Sequence, residues 1–220
     1  MKCGAGAVTM RFEPAPTPRV APVVVLAHGA GGHMDDRGMQ ALASLYGALG
    51  LDVVRFNFPY TDNGSRRPDP MPVLEARIAE VATRTRAEHP ERPLILGGRS
   101  MGGRAASMLV ADGFACDGLL LLAYPLHPAG KPEKLRDAHL PKISVPTLCL
   151  NGTRDTLCRR DLMEAVAERL PRNFRMHWLD DADHGFHVRK SSGRTDDDVV
   201  REIGEVTLHF LGDATVKRAL

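Results

Sequence analysis

The chain has 220 residues, enough for one domain with a sizeable core, and nothing in its composition marks a second one. Its 29 basic and 27 acidic side chains leave a formal net charge of +2, too small to argue for nucleic acid or an anionic membrane as a partner. No window approaches the ~18 apolar residues of a transmembrane helix, and Met1 to Pro22 lacks the apolar stretch of a signal peptide.

Thr9–Phe12 is predicted as a first strand, followed by a proline-rich connector from Pro14 to Pro22. Val23–Ala27 is a continuous apolar strand. Asp36–Leu49 is a helix with Leu42, Leu45, Tyr46 and Leu49 at helical spacing, ended by Gly50. Leu51–Phe58 is a strand stopped by Pro59, and 61–72 a polar loop. Val73–Glu88 is a helix with Leu74, Ile78, Val81 and Ala82 on one face. Strand Leu94–Gly97, helix Met101–Ala111 and strand Gly118–Ala123 follow. The stretch 125–141 is irregular, with a helical turn expected at Glu133–Ala138. Val145–Leu150 is a strand, Leu162–Leu170 a helix capped by Asp161, Arg175–Leu179 a strand and Asp196–Leu211 the closing helix. That last helix has acids in its first turn, as the helix dipole favours. Apolar strands alternating with amphipathic helices imply an α/β chain with a mostly parallel, doubly wound sheet covered on both faces. No repeat or linker breaks the chain, so residues 1–220 are expected to form a single domain.

Four segments carry chemistry. Gly97-Gly98-Arg99-Ser100-Met101-Gly102-Gly103 lies between a strand and a helix, the sequence form of a nucleophile elbow, G-x-S-x-G. The residues two either side of the serine must be small, and Gly98 and Gly102 are. The pattern alone is only moderately specific, because glycine-rich strand-to-helix turns also bind phosphate. Upstream, Val23–Ala27 runs into His28-Gly29-Ala30-Gly31-Gly32, a turn whose amides can point into a site. Downstream, Asp155 follows the strand ending at Leu150, and His184 follows the strand ending at Leu179. Ser100, Asp155 and His184 thus stand in order, each past its own apolar run, where ligands bind in open α/β sheets. Asp183 competes with Asp155 as the acid, but it directly precedes the histidine and reads as turn chemistry. His187 competes with His184 and reads as a surface residue.

These segments resemble the α/β-hydrolases of the dienelactone-hydrolase-like type. A narrower resemblance is to a branch containing bacterial predicted hydrolases and the hydrolase-like domain of the third subunit of the non-specific-lethal chromatin complex. The matching stretches are His28 to Gly32, Asn57-Phe58-Pro59-Tyr60, Arg66-Arg67-Pro68-Asp69, Gly97 to Arg104, Tyr124 to Pro128 with Gly130-Lys131, Gly152 to Asp155 and Asp183-His184. The resemblance implies a compact hydrolase fold without a large lid domain and a serine hydrolase acting on small carboxylic esters. Ser100 would be the nucleophile, His184 the base and Asp155 its orienting acid, with the amides of Ala30 and Met101 as the oxyanion hole. No metal or organic cofactor is required, and the expected partner is a small ester-type substrate.

The remaining motif residues have plainer readings. His28 is expected to bond backbone around its turn. His127 and Lys131 read as a solvated loop, with substrate contact as the sharper alternative for His127. Arg66 and Arg67 also read as a solvated loop, though a guanidinium pair at the mouth would suit an anionic group. Arg104 is expected to form an ion pair. Cys3, Cys116, Cys149 and Cys158 lack metal spacing, and Cys116 and Cys149 read as packing residues, so a reducing cytoplasm fits. The competing functions are a catalytically silent scaffold for a protein partner, and a thioesterase or peptidase using the same three residues.

Overall fold

The computed structural model describes residues 8–16 and 21–216 of the chain; Cys3 and part of the proline-rich connector lie outside them. Among these residues seven strands form one sheet: β1 (Met10–Glu13), β2 (Val23–Ala27), β3 (Asp52–Phe56), β4 (Leu94–Arg99), β5 (Gly118–Leu122), β6 (Thr147–Gly152) and β7 (Phe174–Leu179). Their spatial order is β1-β3-β2-β4-β5-β6-β7, and every pairing is parallel except that of β1 with β3. Among the described residues six α-helices accompany them: α1 (Arg37–Ala48), the single turn α2 (Pro59–Asp62), α3 (Met71–Glu88), α4 (Met101–Ala111), α5 (Arg160–Ala167) and α6 (Asp196–Val216).

The strand sequences explain why both faces are covered. All residues of β2, β3, β5 and β6 are buried. Side chains alternate between faces along a strand. Val23, Val25 and Ala27 therefore join a core with α3, α4 and α5, whereas Val24 and Leu26 join a second core with α1 and α6. A strand with no polar alternation can be satisfied only by helices on both sides. Edge strand β1 is bound by main-chain pairing and by Glu13, which accepts from the buried Arg55 of β3 at 2.7 Å.

Three local expectations are corrected. The strand expected to Phe58 ends at Phe56, and the loop expected over 61–72 is bounded by two helices, with Pro59 opening the first. This proline occupies the first turn of α2, where its missing N–H costs nothing. The helical turn expected at Glu133–Ala138 does not form; a 3₁₀ turn comes later, at Leu140–Lys142. The Arg136 amide is drawn instead to the Leu126 carbonyl at 2.8 Å. Asp161 does not cap α5, which begins at Arg160; it lies inside the first turn and pairs with Arg159.

Candidate active site

The strand order reverses direction between β2 and β4, whose carboxyl ends lie side by side with Ala27 paired to Gly98. Such a switch point leaves a crevice between the loops that follow the two strands. Here those loops are the His28–Gly32 turn and the Ser100 elbow. Ser100 has φ 52° and ψ −117°, a conformation that L residues rarely adopt and that costs about 1–3 kcal/mol. The surrounding glycines make the elbow sterically possible. A Cβ on Gly98 would lie 2.6 Å from the Gly102 carbonyl carbon, and one on Gly102 would lie 2.5 Å from the His28 carbonyl oxygen. Both are backbone atoms and cannot swing away.

Beyond the elbow, the ends of β6 and β7 deliver the other two groups. Gly152 ends β6, and any Cβ there would collide with the Ala182 carbonyl, so glycine lets the two loops close on each other. The Arg154 amide takes that carbonyl at 2.9 Å. The result is one chain of hydrogen bonds across residues far apart in sequence. Ser100 Oγ lies 2.9 Å from His184 Nε2, and His184 Nδ1 lies 2.8 Å from Asp155 Oδ2. A carboxylate can only accept, so Nδ1 carries the proton and Nε2 is left to accept from the serine hydroxyl. The Asp155 side chain is fully buried, whereas His184 remains about a quarter exposed. Asp155 is further fixed by the Leu157 amide on Oδ1 at 2.8 Å and by Asn151 Nδ2 on Oδ2 at 3.0 Å.

Asp183 takes a different place. Its Oδ1 accepts from the amides of Gly185 and His187, at 2.7 and 3.0 Å, and so shapes the turn that presents His184. His187 is exposed and pairs with Asp196 at 2.7 Å. His177 sits in β7 and pairs with Glu202.

The turn at Ala30 closes with the Gly32 amide on the Gly29 carbonyl at 3.2 Å, Gly31 taking φ 67°. It abuts the elbow, since a Cβ on Gly29 would lie 3.6 Å from Ser100 Cβ. Met101 opens α4, and amides in a helix's first turn have no intrahelical acceptor. His28 is buried behind the turn. Its Nδ1 lies 2.9 Å from the Gly29 carbonyl and its Nε2 accepts the Phe58 amide at 3.3 Å. That pattern requires a neutral ring, in accord with the lowering of its pKa by burial.

The arginine stretch lies next to this turn: a Cβ on Gly31 would sit 3.4 Å from the Arg66 carbonyl. Both guanidinium side chains belong to exposed residues, and Arg67 lines an open recess of about 540 Å³ with Tyr60, Ser65 and Asp69. His127 departs from both of its sequence readings. It is buried, neither solvated nor offering a free nitrogen, because Nδ1 lies 3.0 Å from the Pro128 carbonyl and Nε2 accepts the Arg159 amide at 3.2 Å. With its own amide on the Leu157 carbonyl, it braces the loop that holds Asp155.

Two contributors were not singled out from sequence for what they do here. Asn151 is fully buried, accepts the Tyr124 amide at 3.0 Å, and donates to the Tyr124 carbonyl and to Asp155. An asparagine at the end of an otherwise apolar strand was the available signal. Arg99 reaches across 85 positions to donate to the His184 carbonyl at 3.0 Å, so the residue before the serine holds the histidine loop.

A mostly parallel sheet covered on both faces, with a strained serine at the switch point and a histidine and buried acid behind it, defines the α/β-hydrolase class. The chain belongs to that family: the alpha/beta hydrolase domain profile matches residues 20–212. Solved structures agree on the fold. An alpha-beta serine hydrolase homologue from Coxiella burnetii superposes with a TM-score of 0.74 at 17% identity, covering 95% of this chain and 94% of that one. A dienelactone hydrolase from Anabaena variabilis gives 0.73 at 18%, with 94% of each chain covered. A serine hydrolase without lid from Xanthomonas campestris gives 0.69 at 21%, with 99% of this chain and 91% of that one covered. Among the described residues no helix is long and apolar enough to cross a membrane, and no cluster of His, Cys, Asp and Glu could hold a metal ion.

Proposed function

We propose that the protein hydrolyses small carboxylic esters through a covalent acyl-enzyme on Ser100. The observation that carries this reading is the unbroken hydrogen-bond chain Ser100–His184–Asp155, at 2.9 and 2.8 Å. Ser100 Oγ attacks the ester carbonyl as His184 Nε2 takes its proton. The imidazolium that forms is stabilised by the buried Asp155 carboxylate, which the Leu157 amide and Asn151 hold in place. The amides of Met101 and Ala30 stabilise the tetrahedral oxyanion, each worth about 2.7–4 kcal/mol of barrier. His184 then protonates the departing alcohol, leaving the acyl group on the serine. Water, deprotonated by the same histidine, attacks the acyl-enzyme; proton return to Ser100 releases the acid and restores the site.

The described residues form one sheet with its flanking helices and no separate lid domain, which supports small substrates over long-chain lipids. A reducing compartment such as the cytoplasm is supported by three buried free thiols, Cys116, Cys149 and Cys158. The test is a panel of short esters, lactones, thioesters and peptides assayed with wild type and Ser100→Ala. Ester turnover lost in the variant supports the reading. Exclusive thioester or peptide cleavage would replace it with another acyl transfer at the same serine.

A further inference from the structure

A second group of cations stands one helical turn beyond the nucleophile. The Arg104 amide donates to the Ser100 carbonyl at 3.0 Å, which puts the residue about 6 Å further along α4. Its side chain is partly exposed, yet Nε is fully buried and has no hydrogen-bond partner. The irregular stretch after β5 folds against this face of the helix. Ser107 Oγ lies 2.8 Å from His139 Nε2, and the Tyr124 hydroxyl donates to the Arg136 carbonyl at 2.5 Å. The Arg136 guanidinium, also partly exposed, makes one long contact to the Pro125 carbonyl, at 3.4 Å.

The two guanidinium groups act on each other and on the same neighbours. The Arg136 pKa is lowered by burial and then by the Arg104 charge. His139 is pushed down to about 4, again by burial first and Arg104 second. The Tyr124 hydroxyl feels both cations. Sequence reading expected Arg104 in an ion pair, but among the described residues neither it nor Arg136 has a carboxylate within 4.0 Å. The acids nearby are otherwise placed. Asp137 is paired with Arg169 at 3.2 Å, and Asp112 lies at the far end of α4. Glu75 on α3 has its pKa raised by burial and by the Asp112 charge, with Arg104 opposing, and no ion pair joins it to Arg104 within 4.0 Å. Two like charges brought together are unfavourable alone, and an anion held by the amino groups of the two partly exposed arginines would relieve that penalty.

We propose that Arg104 and Arg136 form a receptor for an oxyanion on the substrate, a carboxylate or a phosphate group, so that the enzyme prefers esters carrying a second acidic group. Paired guanidinium forks match both anions in two-point geometry. Partial burial distinguishes this pair from Arg66 and Arg67, whose exposed charges solvent screens. The receptor rests on the ester reading for its place in catalysis, but binding can be measured without turnover.

The experiment titrates Ser100→Ala protein with glutarate and, separately, inorganic phosphate by calorimetry. At least one should bind, and which one does identifies the anion. Adding Arg136→Met should weaken that binding about tenfold or more, the value of one lost charged hydrogen bond. Adding Arg66→Ala with Arg67→Ala should not. Because Arg136 is partly exposed, its variant should fold, which circular dichroism verifies; Arg104→Met provides the second side of the pair. In the Ser100 enzyme, the ratio of kcat/KM for monomethyl glutarate over methyl butyrate (or for a phosphate-bearing ester over its neutral counterpart) should fall by a similar factor in Arg136→Met. Anion binding without turnover of either ester would support the receptor and fault the ester reading. Ester turnover with no binding of either probe, or a loss that follows Arg66 and Arg67 in place of Arg136, would overturn the receptor.

Discussion

Asp155→Asn is the substitution whose consequences the site geometry defines most closely. The amide that replaces the carboxylate must put its NH₂ at one of two positions. At the Oδ1 position it would face the Leu157 amide, a donor 2.8 Å away. At the Oδ2 position it would face Asn151 Nδ2, a donor at 3.0 Å, and His184 Nδ1 at 2.8 Å. Asn151 cannot flip to accommodate it, because its oxygen accepts the Tyr124 amide and its nitrogen donates to the Tyr124 carbonyl. Either orientation therefore costs a donor–donor conflict. The second also forces the proton of His184 onto Nε2, the nitrogen that must accept from Ser100. Both remove the charge that stabilises the imidazolium. The expected loss in kcat approaches 10⁴-fold, about 5 kcal/mol of barrier. Asp183→Asn keeps an acceptor for the Gly185 and His187 amides and should cost less than about tenfold. The assay is steady-state hydrolysis of a short ester at saturating substrate, with folding verified by circular dichroism. A larger loss for Asp183→Asn than for Asp155→Asn would refute the assignment of the acid.

Three further outcomes follow from the same geometry. Ser100→Gly should be more stable to urea than Ser100→Ala by about 1 kcal/mol, since only glycine relaxes the strain at φ 52°; equal midpoints would mean the elbow stores none. Gly102→Ala puts a Cβ 2.5 Å from the His28 carbonyl, so backbone must move by nearly an ångström. Urea midpoints should show a loss of at least ~2 kcal/mol and kinetics a ~10²-fold fall in kcat; a near-wild-type protein would contradict the elbow packing. The third concerns pH. His28 and His139 have pKa values lowered below 6.5 by burial, His139 to about 4, so the unfolded chain takes up their protons first as pH falls. The stability they contribute is complete above about pH 6.5 and is lost down to about pH 4. The urea midpoint should drop from pH 7.5 to 4.5, and by less in His139→Gln, whereas an identical drop would remove His139 from the account.

What the sequence made legible follows from local physics. Apolar and alternating runs bounded by glycine and proline located all seven strands to within two residues, because a buried strand needs no partner information to be recognised. Ser100 was readable because Gly98 and Gly102 mark the elbow locally. The antiparallel direction of β1 was not readable, since its alternation is the same in either orientation and only pairing with β3 sets it. The same limit explains the side chains whose roles changed. His127 is defined by amide and carbonyl groups at 128 and 159, Asn151 by Tyr124, and Arg99 by a carbonyl 85 residues away. Such partners meet only once the sheet has closed. Residues 133–138 resemble a helical turn in composition, but their backbone is claimed by Leu126, a tertiary contact that overrides propensity.

The central claim is that Ser100 is an activated nucleophile, and covalent labelling tests it most directly. The folded protein is incubated with a fluorophosphonate at neutral pH, and the intact mass and the modified peptide are then determined. The account predicts one adduct per chain, on Ser100, absent in Ser100→Ala and strongly slowed in His184→Ala. A folded wild-type protein that stays unlabelled, or one labelled on another residue with Ser100 intact, would contradict it.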